Sequence, residues 1–200
     1  MVKRSLVIGG VILVVAIGLG IFLGFLQEYA FNGVVYENPK PAPQIILDGS
    51  DDAQFNLKSL SDKIVLIFFG YTSCPDVCPS TLSDMKRVTK LLGDDADSVQ
   101  VIFITVDPDR DTVEKLNSYL SLFDPKFLGL TGAISDLEKV WDEYGVYREV
   151  DTSSKTAAGY LVNHSSRLYL IDQKGRLFLT YGYGTSPESI AEDIEYLISN

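Results

Sequence analysis

The longest hydrophobic feature in the chain is an uninterrupted run near its start. Residues 6–26, LVIGGVILVVAIGLGIFLGFL, hold no charged and no strongly polar side chain. At helical rise such a run spans roughly 30 Å, about the thickness of a bilayer core. Two shorter runs, KIVLIFFG (63–70) and VQVIFITV (99–106), are continuous rather than alternating. That pattern predicts strands buried on both faces. Between them Leu82, Met85, Val88, Leu91 and Leu92 recur at helical spacing, which predicts a helix over 79–92.

Downstream, Val113, Leu116, Tyr119 and Leu120 predict a second helix, opened by Asp111 with Glu114 as a capping box. AISDLEKVWDEYG (133–145) predicts a third, with Trp141 and Tyr144 on its core face and Gly145 at its end. RLYLID and RLFLTYGYG, parted by Gln173-Lys174-Gly175, predict a hairpin. SPESIAEDIEYLISN predicts a closing helix with Pro187 in its first turn. IILDG followed by FNLKSL predicts a hairpin-like opening to the domain. Buried strands alternating with helices and ending in an antiparallel pair imply an α/β fold of thioredoxin-like arrangement, a central mixed sheet flanked by helices.

Lys3 and Arg4 precede the apolar run, and Glu28 and Glu37 follow it. The run is long for a cleaved signal peptide, and no A-x-A-like site follows it; the next residues are Gln27, Glu28 and Tyr29. One N-terminal transmembrane helix is therefore expected, with a short cytoplasmic tip (1–26 together), and positive residues stay on the cytoplasmic side. No Arg- and Ser-rich transit peptide precedes it, which points to a bacterial inner membrane and a domain facing the periplasm. Residues 27–43 contain Gly33, Pro39, Pro41 and Pro43 and read as a linker with an extended end. The domain is expected over 44–200.

Composition narrows the partners. The formal net charge is −10, and no basic run exists beyond Lys3-Arg4, which argues against nucleic acid. The chain has 2 cysteines and 1 histidine. Two cysteines are too few for a disulfide scaffold, and a bridge closing so short a loop removes little unfolded-state entropy.

Both cysteines lie in YTSCPDVCPSTL (71–82), just after the first buried strand. Each precedes a proline, which pushes both out of helical conformation. Pro79 suits a first helical position, so Cys78 is expected as the cap of the following helix, its thiol near the positive end of that helix. Three readings compete for the pair. One is a pair of small buried side chains or an inert disulfide. Another is a dithiol redox site, although the spacing exceeds C-x-x-C by one residue and no proline lies between Pro125 and Pro187 to supply a cis-proline opposite the thiols. Neither Tyr71 nor Pro75, three before each cysteine, is the Thr of a peroxiredoxin. The third is a metal site, where soft sulfur favours Cu(I). Structural zinc wants a fourth ligand, which only a carboxylate could add. His164, in YLVNHSS before the RLYLID strand, is the candidate third ligand, because a loop there faces the cysteine edge of the sheet. The competing reading is an ordinary surface histidine.

FFGYTSCPDVCPSTL (68–82), FITVDPDRDT (103–112) and VNHSS (162–166) together resemble the Sco/SenC family, whose members act in cytochrome c oxidase assembly. The resemblance covers roughly 40–198 and the N-terminal anchor. It implies copper held by Cys74, Cys78 and His164. It also implies delivery of that copper from an upstream donor to the dinuclear copper A site of oxidase subunit II. The family further implies that Asp107 assists copper handling; the other reading is a loop carboxylate capping backbone amides. Asp109 and Asp111 read as helix-start residues, and Arg110 as their local charge partner. A mobile loop around 151–160 is expected to let a recipient thiolate displace ligands stepwise. A carrier is implied rather than an enzyme. Two alternatives stay open: a thiol–disulfide oxidoreductase acting on the recipient's cysteines, and a redox sensor.

Overall fold

The computed structural model describes residues 17–18, 29–49, 53–156 and 159–200. The chain divides into two compact units, 1–31 and 32–200. In the first, Ile17 and Gly18 are helical and the Tyr29 ring stands edge-on to Phe31 at 4.9 Å. The rest of the expected transmembrane segment lies outside the described residues. Among those described, no helix is long and apolar enough to cross a membrane.

The second unit is built on an eight-stranded sheet. Its strands are β1 (Val34–Pro41), β2 (Ile46–Gly49), β3 (Gln54–Asn56), β4 (Ile64–Gly70), β5 (Val99–Thr105), β6 (Leu128–Thr131), β9 (Leu168–Ile171) and β10 (Arg176–Tyr181). Their spatial order is β1-β10-β9-β4-β5-β6-β2-β3. β7 (Arg148–Thr156) and β8 (Gly159–His164) form a separate two-stranded sheet. The helices are α1 (Val77–Leu92), α2 (Val113–Leu120), α3 (Ile134–Glu143) and α4 (Pro187–Ser199).

Sequence decides the centre. All seven residues of β4 are buried, and β5 is buried except at Gln100. Each large apolar side chain taken fully from water contributes about 1.5–3 kcal/mol, so Phe68, Phe69 and Phe103 at 0% exposure anchor the fold. Cys78, Leu82, Met85, Val88 and Leu92 line the buried face of α1, which packs against α4. α3 ends where Gly145 turns left-handed at φ 65°, and the Val146 N–H closes back on the Trp141 carbonyl at 2.7 Å. Trp141 and Tyr144 are buried as expected. The predicted hairpins appear as β2–β3 and β9–β10, and Pro187 opens α4 behind a Ser186 cap.

The topology gathers one edge. β4 runs parallel to β5 with Gly70 opposite Thr105, and antiparallel to β9 with Phe68 opposite Leu168. The end of β4, the end of β5 and the start of β9 therefore share the carboxyl edge of the central strands, where open α/β sheets hold ligands.

Four expectations change. Residues 34–41, within the stretch read as linker, pair as an edge strand with β10, Val34 opposite Thr180 and Pro41 opposite Arg176. An edge strand tolerates proline because one side needs no ladder donor. Of the 151–160 stretch read as a loop, residues 151–156 belong to β7 and 159–160 to β8, and residues 157–158 lie outside those described. Cys78 is inside α1 instead of capping it: Asp76 is the N-cap, and the first helical bond runs from the Ser80 N–H to the Asp76 carbonyl. Pro79 thus occupies a first-turn position whose N–H has no helical partner anyway. Finally, Thr112 caps α2, its hydroxyl accepting from the Lys115 N–H, and Asp111 is fully buried beneath it.

Candidate metal centre

Cys74 follows β4 on a turn in which its N–H bonds the Tyr71 carbonyl at 3.2 Å. Cys78 lies one turn into the chain beyond, in the first turn of α1. The Cys78 N–H, an orphan donor of that turn, reaches Cys74 Sγ at 3.4 Å. The first sulfur therefore occupies the capping place at the positive end of α1, which stabilises a thiolate there. Cys74 is half-buried and Cys78 fully buried. Both are free thiols.

Their protonation splits accordingly. The Cys74 thiol is lowered from 9.0 to about 4, first by the hydrogen bond from the Cys78 side chain. Cys78 is driven up, because it donates that bond and because it is buried. The sequence placed the helix-stabilised thiolate at Cys78; the structure places it at Cys74.

His164 ends β8 and brings its ring to the same place. Nδ1 lies 2.9 Å from the Ser165 carbonyl. A carbonyl only accepts, so Nδ1 is the donor of that bond and Nε2 is the ring nitrogen turned to the sulfurs. Nε2 lies 3.6 Å from Cys78 Sγ. The ring stands edge-on to Tyr71 at 5.8 Å and to Phe68 at 6.2 Å, which fixes its plane. The donor atoms of Cys74, Cys78 and His164 all lie within 4.8 Å of one another. Two sulfurs and one imidazole form a soft, low-coordinate donor set that suits copper. Gly70 lies directly under the site, where an added Cβ would meet Cys78 Sγ at 3.0 Å and the Phe103 ring at 2.8 Å.

Asp107, at 0% exposure, is not in the donor cluster. Its Oδ1 accepts from the Tyr160 hydroxyl at 2.7 Å, and its Oδ2 from Arg110 Nε. Arg110 also donates to the Tyr160 carbonyl at 3.0 Å and lies 3.7 Å over the Tyr160 ring. Burial, then the bond to Asp107, pushes the Tyr160 hydroxyl up to about 12, so it stays a donor. Asp111 serves the other side of the site. It accepts from the Thr72 N–H at 3.0 Å and hydroxyl at 2.5 Å, and from the Thr105 hydroxyl at 2.8 Å. Thr72 is two residues before Cys74, so Asp111 sets the cysteine turn.

The structure brings Cys74, Cys78 and His164 together, the three residues grouped from the sequence, and adds Asp111, Tyr160, Tyr71 and Thr72 as supports that sequence reasoning missed. The available signal was the polar DPDRD stretch directly after a wholly apolar strand, where carboxylates next to a core must find partners.

The family model described as SCO1/SenC matches residues 44–199. A SCO2-like protein of Rickettsia felis is 38% identical over 138 residues, 69% of this chain and 67% of that protein. The structure of Bradyrhizobium japonicum ScoI with copper bound superposes with TM-score 0.72 at 37% identity, covering 79% of this chain and 99% of that one. The solution structure of apo Sco1 from Thermus thermophilus gives TM-score 0.75 at 34% identity, over 86% of this chain and 99% of the other.

Proposed function

The chain belongs to the SCO1/SenC family, and from that premise we propose that it is a membrane-anchored copper metallochaperone whose ligands are Cys74, Cys78 and His164. The observation that carries the reading is the convergence of those three donors within 4.8 Å of one another. Support also comes from the copper bound in the B. japonicum relative. The recipient is the dinuclear copper A site of cytochrome c oxidase subunit II, and an upstream donor supplies the ion. The 6–26 run anchors the chain in a bacterial inner membrane with the domain in the periplasm.

The ion is cargo, so it must leave as well as bind. Three ligands leave a soft ion open to an entering thiolate, and Cys74 and His164, both half-buried, are the ligands a recipient can reach. Cys78 is the buried ligand. The dithiol must be reduced to load. An oxidised pair has no thiolate to offer, which ties loading to the redox state of the compartment.

A second reading, thiol–disulfide oxidoreductase on the recipient's cysteines, is favoured by one observation. Cys74 carries a strongly lowered pKa at a helix N-terminus, which is the setting of an attacking thiolate. Transfer assays separate the two. The full chain in detergent, loaded with Cu(I), should metallate a reduced copper A domain. Reduction of a disulfide-bonded recipient by the metal-free chain, with no copper transfer from the loaded chain, would favour the second reading and defeat the first.

A further inference from the structure

We propose that Asp107, Arg110 and Tyr160 form a clasp that holds His164 in ligating position, and that this clasp, without touching the ion, sets how firmly oxidised copper is held relative to reduced copper. The inference rests on the copper reading above.

The β7–β8 hairpin that carries His164 stands apart from the main sheet. Of the β8 residues only Val162 is buried. Two strands alone are marginally stable in water, so the hairpin depends on what fastens it. The fastenings are mostly polar and converge on residues 106–110. The Val106 carbonyl accepts from Arg148 Nε of β7 at 2.6 Å. Asp107 and Arg110 grip Tyr160 of β8 at its hydroxyl, ring and carbonyl. The Tyr71 hydroxyl accepts the Val162 N–H at 3.3 Å, with Arg110 lying 5.6 Å from the Tyr71 ring. Tyr160, Val162 and His164 alternate along one strand and so share one face. The face that presents the imidazole is the face that is clasped.

The two sulfurs are fastened separately, by the Asp111 bonds to Thr72 and by α1. Loosening the hairpin therefore removes the nitrogen and leaves the sulfurs in place. Cu(I) is well served by two thiolates, whereas Cu(II), a harder ion, depends more on imidazole. Asp107, Arg110 and Tyr160 are positioning residues that act through His164.

The test uses the full chain in detergent with Tyr160→Phe, Arg110→Gln and, as control, Arg176→Gln. Arg176 pairs with Asp172 in another Arg–Asp bridge, at the opposite end of the sheet. Cu(I) and Cu(II) affinities are read by chelator competition, and amide exchange of Val162 and Asn163 is followed in the metal-free chain. Tyr160→Phe should weaken Cu(II) by about tenfold, leave Cu(I) within about twofold, and speed exchange at both amides. Arg110→Gln should move further the same way, and Arg176→Gln should move none of these. Tyr160→Phe removes one hydroxyl and keeps the ring, so it carries the test even where Arg110→Gln fails to fold. Equal losses of both ions, or unchanged Cu(II) affinity and unchanged exchange, would overturn the clasp. If Cu(II) binding falls in His164→Ala but not in Tyr160→Phe, the clasp fails and the copper reading stands. If the wild-type chain binds neither ion, both fail.

Discussion

The sulfur of Cys74 accepts the backbone N–H of Cys78 at 3.4 Å. The first cysteine thus caps the helix that contains the second, and the two thiols of one short loop acquire opposite acidities.

That relationship fixes a pH dependence. Cys74 is lowered from 9.0 to about 4, so in the metal-free chain its alkylation rate should rise through about pH 4 and be flat by pH 7. Cys78→Ala removes the largest cause of the shift and should move the midpoint upward. The sign for stability follows from the same shift. The thiolate contribution is absent below about 4, grows as pH rises towards 9.0, and is complete above it. Mass spectrometry of the alkylated chain across pH checks the midpoint. A midpoint near 9.0 in the native chain would refute the capping role.

Asp111 is fully buried and accepts from Thr72 and Thr105. Asp111→Ala leaves those donors unpaired in the core, and a cost of about 3 kcal/mol is expected in denaturant melts. Copper loss should accompany it, because the turn before Cys74 loses its anchor. A melt within about 0.5 kcal/mol of wild type would contradict the placement, being the size of an ordinary surface change.

Gly70 gives a steric test. A methyl group there meets Cys78 Sγ at 3.0 Å and Phe103 at 2.8 Å. Both neighbours sit in a closely packed core with little room to yield. Gly70→Ala should displace the buried sulfur and weaken Cu(I) by about tenfold or more. Unaltered affinity would mean that the sulfur does not rest on this strand.

Much of this was legible in the sequence. β4 and β5 announce themselves because wholly buried strands need no alternation, and α1 shows its core face at helical spacing. β6 was missed since LGLT is only four residues long. β1 and the β7–β8 hairpin were missed for another reason. VVYENPKP and REVDTSSKT are held by edge pairing and polar contacts, which leave no hydrophobic period to read. The grouping of Cys74, Cys78 and His164 was open to residue type and edge topology as one reading among several, and the family resemblance selected it. The supports were not legible, because Asp111 and Tyr160 act through three-dimensional neighbours distant in sequence.

The domain's N-terminal boundary yields a further prediction. Buried Asp193 in α4 accepts from the Asn32 N–H at 3.0 Å, the Gly33 N–H at 3.1 Å and the Tyr181 hydroxyl at 3.1 Å. A fragment starting at residue 44 lacks β1 and leaves that carboxylate short of donors. It should unfold at lower denaturant than one starting at residue 29, by about 2 kcal/mol or more. Equal midpoints would show that β1 adds nothing to the domain.

The most direct test of the metal centre is paramagnetic resonance of the full chain loaded with Cu(II), wild type against His164→Ala. The wild-type spectrum should carry hyperfine coupling from a single imidazole nitrogen beside strong sulfur character. His164→Ala should lose the nitrogen coupling and most Cu(II) affinity while retaining Cu(I) on Cys74 and Cys78. Nitrogen coupling and Cu(II) affinity that survive the substitution would contradict the ligand assignment on which the function rests.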